Sequence, residues 1–260
     1  MEPRPTSRDE LFATLPPEWT EADLRAPIRL RTRIREATVS SGRKVVLLDY
    51  DPTGTQTVHG LPVLTEWTPE PLAAAWDEAQ TTFYTLTNSR RYPLEEAAAM
   101  NCEIARNLAH VARTHGAEPV VVSRSDSTLR GHYPGEVTAL QQTMEAELGV
   151  RYDGIVIAPF FLEGGRLTVN DVHWVRSGEE LTPAAQTEFA RDRTFGYHHS
   201  NLREWVAEKS EGRVPAGEVV SIGLREIREG GPDAVMTLLL STGQDRRVIV
   251  VNAASYRDVE

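Results

Sequence analysis

The residues best suited to do chemistry fall in one stretch, Ser123-Arg124-Ser125-Asp126-Ser127-Thr128-Leu129-Arg130-Gly131-His132-Tyr133-Pro134. Two guanidiniums, one carboxylate and four hydroxyls (Ser123, Ser125, Ser127 and Thr128) lie within its first eight residues. That set suits a small hydroxylated anion. Arginine forks onto a carboxylate, while hydroxyls and a carboxylate exchange hydrogen bonds with ligand hydroxyls. A capped, salt-bridged loop without a ligand would use the same residue types, so both readings stay open here. Three more polar loops share this character. In Asp49-Tyr50-Asp51-Pro52-Thr53-Gly54 the carboxylates could be a general base, Mg2+ ligands, acceptors for ligand hydroxyls or simply an Asx-type turn. Thr87-Asn88-Ser89-Arg90-Arg91-Tyr92 supplies guanidiniums. Pro159-Phe160-Phe161-Leu162-Glu163-Gly164-Gly165-Arg166 adds another, with backbone freedom beside it.

Each loop follows an apolar run of strand length, at residues 44–48, 82–86, 119–122 and 154–158. A strand that opens into a polar loop before a helix marks the carboxyl edge of an α/β sheet, where such sheets bind ligands. Helices are predicted over 69–80, 93–115 and 135–148. In the second, Leu94, Ala97, Ala98, Ile104, Ala105, Leu108, Val111 and Ala112 recur at helical spacing and Gly116 closes the run. Residues 167–175 read as a hairpin or edge strand, and 183–189 and 201–209 as short helices. A strand over 219–222, a helix over 232–240 and a last strand over 247–252 follow, with no helix expected after it. The fold class is α/β, a mostly parallel sheet flanked by helices in three layers. Residues 1–43 form a lead-in, broken at Pro16-Pro17-Glu18-Trp19. There, Pro27 could start a helix with Leu30, Ile34 and Ala37 on one face. Residues 44–260 form the binding domain.

A hydrophobic fraction of 40% is enough for a core, and no apolar run is long enough to span a membrane. The N-terminus lacks a signal-peptide pattern, and one cysteine, Cys102, allows no internal disulfide; both suit a cytoplasmic location. The net charge of −10 argues against general nucleic-acid binding, which needs a basic face. A local arginine cluster can still act within an acidic whole. All but two of the 28 basic residues are arginine, the exceptions being Lys44 and Lys209. The adjacent His198-His199 lack further Cys or His at ligand spacing, so no metal site is expected.

Taken together, Asp51-Pro52-Thr53-Gly54, Asn88-Ser89-Arg90, Asp126-Ser127-Thr128-Leu129-Arg130-Gly131 and the 159–166 loop resemble the N-terminal domain of the four-carbon acid sugar kinase family, which includes 3-oxo-tetronate, threonate and erythronate kinases. The resemblance runs from about Leu15 to the end of the chain. It implies an α/β domain that holds the sugar acid and a C-terminal domain, absent from this chain, that supplies most of the ATP site, with Mg2+. On that resemblance Asp51, Arg90, Arg124, Asp126 and Ser127 contact the sugar acid, with Arg130 and Arg166 added as substrate-binding guanidiniums. Asp126 is favoured, with Asp51, for the catalytic role of orienting or deprotonating the attacking hydroxyl. The chain departs from the family in Tyr50, which stands where the first of two adjacent aspartates is usual. It also carries no Walker motif or other glycine-rich phosphate loop. The chain alone is therefore expected to bind a sugar acid and to transfer phosphate poorly or not at all. Two rivals remain: a non-catalytic sugar-acid-binding remnant, and a haloacid-dehalogenase-type Mg2+-dependent phosphatase, whose opening motif Asp49-x-Asp51-x-Thr53-Gly54 matches. The partner expected throughout is a small anionic substrate, with no nucleic acid and no membrane; homo-oligomerisation is left open.

Overall fold

The computed structural model describes residues 2–18, 30–242 and 247–260. The helix start at Pro27 and the break at Trp19 lie outside the described residues. In chain order the elements are β1 (Thr6–Ser7), α1 (Arg8–Phe12), α2 (Leu30–Ser40), β2 (Val45–Asp49), β3 (Val63–Leu64), α3 (Pro69–Asp77), β4 (Thr82–Leu86), α4 (Leu94–His115), β5 (Val120–Arg124) and α5 (Gly135–Leu148). They continue with β6 (Gly154–Ile157), β7 (Arg166–Val169), β8 (Val172–Ser177), β9 (Glu180–Pro183), α6 (Leu202–Lys209), β10 (Val220–Ile222), α7 (Leu224–Thr242), β11 (Arg247–Val251) and α8 (Tyr256–Val259). They form two compact units. One comprises Met1–Leu30, Ser127–Arg130 and Tyr152–Glu260; the other comprises Arg31–Asp126 and Gly131–Arg151.

The unit built on 31–126 and 131–151 carries a four-stranded parallel sheet in the order β3-β4-β2-β5. Its helical layer centres on α4, whose apolar stripe (Ala97, Ile104, Ala105, Leu108, Val111, Ala112) is buried against α3 and α5. Leu72, Ala75 and Trp76 of α3 and Leu140 and Met144 of α5 complete that core. α4 ends where Gly116 takes φ +64°, the left-handed cap its sequence announces. Leu94, expected on the buried stripe, is 47% exposed in the first turn. In α2 only the first residue of the expected apolar face is covered: Leu30 is buried, but Ile34 and Ala37 are exposed.

The second unit holds a three-stranded parallel sheet, β10-β11-β6, and a four-stranded antiparallel sheet, β1-β9-β8-β7. β7 and β8 form the expected hairpin, closed by Asn170 and Asp171 at φ +53° and +63°. Positive φ at both turn positions is what a tight hairpin of right-twisted strands requires, and Asn and Asp tolerate it. A core of Leu167, Val169, Trp174, Leu181, Leu224 and Ala254 lies beneath, lined by Leu11, Phe12, Leu15 and Ile227. The α/β class therefore holds, with the parallel strands divided between two sheets and an antiparallel sheet added. Two local expectations fail. Residues 183–189 form the end of β9 and 3-10 turns, because Pro183 closes the strand and no apolar stripe continues a helix. A short helix, α8, follows the last strand; its Asp258 accepts the N–H groups of Ala254 and Ser255.

Candidate functional site

In the first unit the chemistry gathers at the carboxyl ends of β2, β4 and β5. Asp49 is the last residue of β2 and pairs in register with Arg124, the last of β5. Both strands run further into their polar loops than the hydrophobic pattern shows, and this register places the two side chains side by side. Arg124 Nη1 donates to Asp49 Oδ1 at 2.9 Å. Asp49 is fully buried, and its Oδ2 has no hydrogen-bond partner among the described residues. Burial pushes the Asp49 carboxyl above its ordinary value, against the pull of Arg124.

The next turn holds Asp51. The Thr53 N–H donates to Asp51 Oδ1 at 2.9 Å, an Asx-type turn, and Arg90 Nη1 donates to Oδ2 at 3.1 Å. Partial burial would raise the Asp51 carboxyl, but Thr53 and Arg90 outweigh it and hold it below the ordinary value. Arg90 reaches this position because Asn88 adopts φ +52° and the Arg90 N–H donates to the Tyr50 carbonyl. Its guanidinium also lies 5.6 Å from the centre of the Tyr50 ring. Burial works against the Arg90 charge, but Tyr50, Asp51 and Asp126 together raise its pKa above the ordinary value. Asp51, Arg90 and Asp126 thus form one electrostatic group, beside the Asp49–Arg124 pair. Gly54 closes the cluster. A Cβ there would lie 1.4 Å from Arg124 Nη1 and 2.1 Å from Asp49 Oδ2, so only glycine lets the loop pass.

Ser127, Arg130 and Arg166 belong to the other unit. Arg130 Nε donates to the buried Thr128 Oγ1 at 3.1 Å, and its Nη1 stands 3.7 Å from Asp192 Oδ2. The Arg130 and Arg166 guanidiniums lie 5.0 and 5.4 Å from the centre of the Phe189 ring. Arg166 Nη1 also donates to the Gly164 carbonyl. The Phe189 platform sits in a stretch predicted as a short helix, which hid its role. The Asp49–Arg124 pair was equally hidden, because register between strands 75 residues apart leaves no local signal. His198 and His199 pair with Glu208 and Glu204 at the surface, and Glu2 joins His199 and Glu204 within 4.8 Å.

The ATP and Mg2+ that the fold family implies can be tested against these residues. Magnesium wants several free oxygens in an octahedral set. Asp51 has both oxygens engaged, by the Thr53 N–H and by Arg90, and Asp49 gives Oδ1 to Arg124 and keeps only the fully buried Oδ2. One free oxygen does not make the ion's set, so this cluster does not fit it and no step is routed through it.

The sequence matches the family described as the sugar-binding N-terminal domain over residues 45–260. The chain belongs to that family. It is an N-terminal domain of the four-carbon acid sugar kinase kind. A curated relative, the D-threonate kinase of Salmonella typhimurium, is 32% identical over 173 residues, covering 66% of this chain and 36% of the kinase. Among solved structures, a domain of unknown function from Bordetella bronchiseptica, a domain-swapped dimer with bound citrate, aligns with a TM-score of 0.59 and 21% identity over 84% of this chain and 50% of its own. A Haemophilus influenzae protein aligns at 0.57 and 15% identity, over 83% and 49%. The chain thus spans about a third of the curated relative (36%) and half of the Bordetella structure (50%). No helix among the described residues is long and apolar enough to cross a membrane.

Proposed function

We propose that this chain is the substrate-binding part of an ATP-dependent kinase acting on a four-carbon sugar acid of the threonate or erythronate type. The observation that carries the proposal is the gathering of Asp51, Arg90, Asp49 and Arg124 in two ion pairs at the carboxyl ends of one parallel sheet, with Asp126 two residues beyond the end of β5. Alternating guanidiniums and carboxylates suit a ligand that is an anion at one end and a polyol along its length. Arg90 and Arg124 would fork onto the acid's carboxylate, while Asp51, Asp126 and Ser127 would accept or donate to its hydroxyls. Asp126, one residue before Ser127, would orient or deprotonate the attacking hydroxyl, with Asp51 in support. ATP with Mg2+ would supply the phosphoryl group, held mainly by residues beyond this domain.

The D-threonate kinase relative supports the substrate class. The full burial of Asp49 and its bond to Arg124 favour this reading over a phosphatase, whose nucleophilic aspartate must reach its substrate. The test is a calorimetric titration with D-threonate, L-threonate, D-erythronate and, separately, ATP with Mg2+. We expect sugar-acid binding that weakens at least about tenfold in Arg90→Ala and Asp126→Ala, the loss of about one charge-assisted hydrogen bond. ATP–Mg2+ binding with no sugar-acid binding would overturn the proposal.

A further inference from the structure

The segment Ser127–Arg130 is strained. Leu129 sits at φ +66°, where a bulky L residue clashes with its own backbone, and it is buried. Such a conformation persists only where its surroundings over-determine it. Here two buried aromatic side chains grip consecutive carbonyls just before it. His173 is fully buried, and its Nε2 lies 2.8 Å from the Ser127 carbonyl oxygen. A carbonyl can only accept, so Nε2 carries the proton. With the proton on Nε2, Nδ1 can accept from the Thr168 hydroxyl, whose Oγ1 lies 3.0 Å away, and this second bond fixes the plane of the ring. Tyr197, 2% exposed, donates its hydroxyl to the Thr128 carbonyl at 2.8 Å. Both anchors come from the unit to which Ser127–Arg130 belongs.

We propose that His173 and Tyr197 are positioning residues: a two-point clamp on the Ser127 and Thr128 carbonyls that holds Leu129 in its strained conformation and so sets the direction of the Ser127 hydroxyl. Neither touches the ligand. His173 acts through Ser127 and Tyr197 through Thr128. The proposal deepens the reading of Ser127 as a sugar-acid contact and rests on it for its effect on affinity, but not for its effect on the loop.

The test compares wild type with His173→Phe, His173→Gln and Tyr197→Phe. His173→Phe fills the space without a donor, whereas His173→Gln returns an N–H toward the Ser127 carbonyl. Hydrogen–deuterium exchange of the peptide spanning 125–131 is read beside calorimetric titration with D-threonate and D-erythronate. In His173→Phe and Tyr197→Phe we expect faster exchange in that peptide, peptides from α4 and α5 unchanged, and affinity reduced about tenfold. His173→Gln should recover most of both effects. Exchange at 125–131 equal to wild type in both phenylalanine variants would overturn the clamp. So would unfolding spread over all peptides with no rescue by glutamine. If the loop loosens as expected while wild type binds neither acid, the clamp stands and the sugar-acid reading falls.

Discussion

Asp49 and Asp51 stand two residues apart on one sheet edge and are pushed in opposite directions. Burial raises the Asp49 carboxyl, while Asp51, given the Thr53 N–H and the Arg90 fork, is lowered. Environments that split neighbouring carboxylates in this way are how a site assigns them different protonation roles. The consequences for stability have opposite signs. The Asp51 contribution is present above its ordinary value of 3.8 and is lost as pH falls through its lower folded value. The Asp49 contribution is fully present below 3.8 and is lost as pH rises through its raised folded value. Urea unfolding of Asp49→Asn and wild type between about pH 4 and pH 7 should therefore show the variant gaining on wild type as pH rises. A constant difference would mean that Asp49 titrates alike in the folded and unfolded chain. Gly54→Ala tests the same cluster by volume. Its Cβ would fall on Arg124 Nη1 and the buried Asp49 carboxylate, and overpacking of this kind costs roughly 1–3 kcal/mol. Asp51, Arg90 and Asp126 were legible as residue types in polar loops. The partner of Arg124 was not, because pairing across strands is a property of register rather than of neighbours in the chain.

Among the elements, α4 was the most legible and α7 the least. Twenty-two residues of unbroken 3.6-residue periodicity ending in glycine leave few alternatives to a helix, and α4 is that helix. Gly116 has open space around its Cβ position, so replacing it isolates the backbone term. Gly116→Ala should cost about 1–2 kcal/mol, read from the urea midpoint. By contrast, α7 runs from Leu224 through a break at Gly231-Pro232, and only its second half was predicted. Its first half is fixed by Arg228, whose Nε and Nη2 donate to Asp258 Oδ1 and Oδ2 at 2.7 and 2.8 Å. Both side chains are almost wholly buried, and the partners lie 30 residues apart. Removing Asp258 takes both of its short hydrogen bonds from the buried Arg228 charge, leaving it the Pro16 carbonyl at 2.8 Å and the Glu18 carboxylate at 3.7 Å. Asp258→Asn should cost about 3–5 kcal/mol, and the paired change Arg228→Met with Asp258→Leu less than the sum of the two single changes. Additive losses in that double-mutant cycle would show that the two groups do not act as a pair.

At the scale of the whole molecule the sequence carried the class but not the partition. Strand-length apolar runs alternating with helices indicate a parallel α/β protein, yet nothing local tells that Ser127–Arg130 leaves the unit of its flanking residues. Within its own unit that segment is bonded to His173 and Tyr197, more than 40 residues downstream. Net charge is the other property of the whole, and it opposes the proposed ligand. An anionic sugar acid would approach a chain of net charge −10 and, on the proposed reading, would be captured by a few partly buried guanidiniums. The long-range repulsion is screened as the Debye length falls from about 30 Å at 0.01 M salt to about 8 Å at 0.15 M. Contacts at hydrogen-bond distance lie well inside either length and are screened far less. Raising salt across that range should therefore speed association in stopped-flow titration with D-threonate while dissociation changes little, so that Kd tightens or holds. A site that relied on a diffuse basic surface would behave oppositely, with affinity falling steeply as counterions compete. Weakening of that kind would place the acid on scattered surface arginines and remove it from the Asp51–Arg90 and Asp49–Arg124 edge.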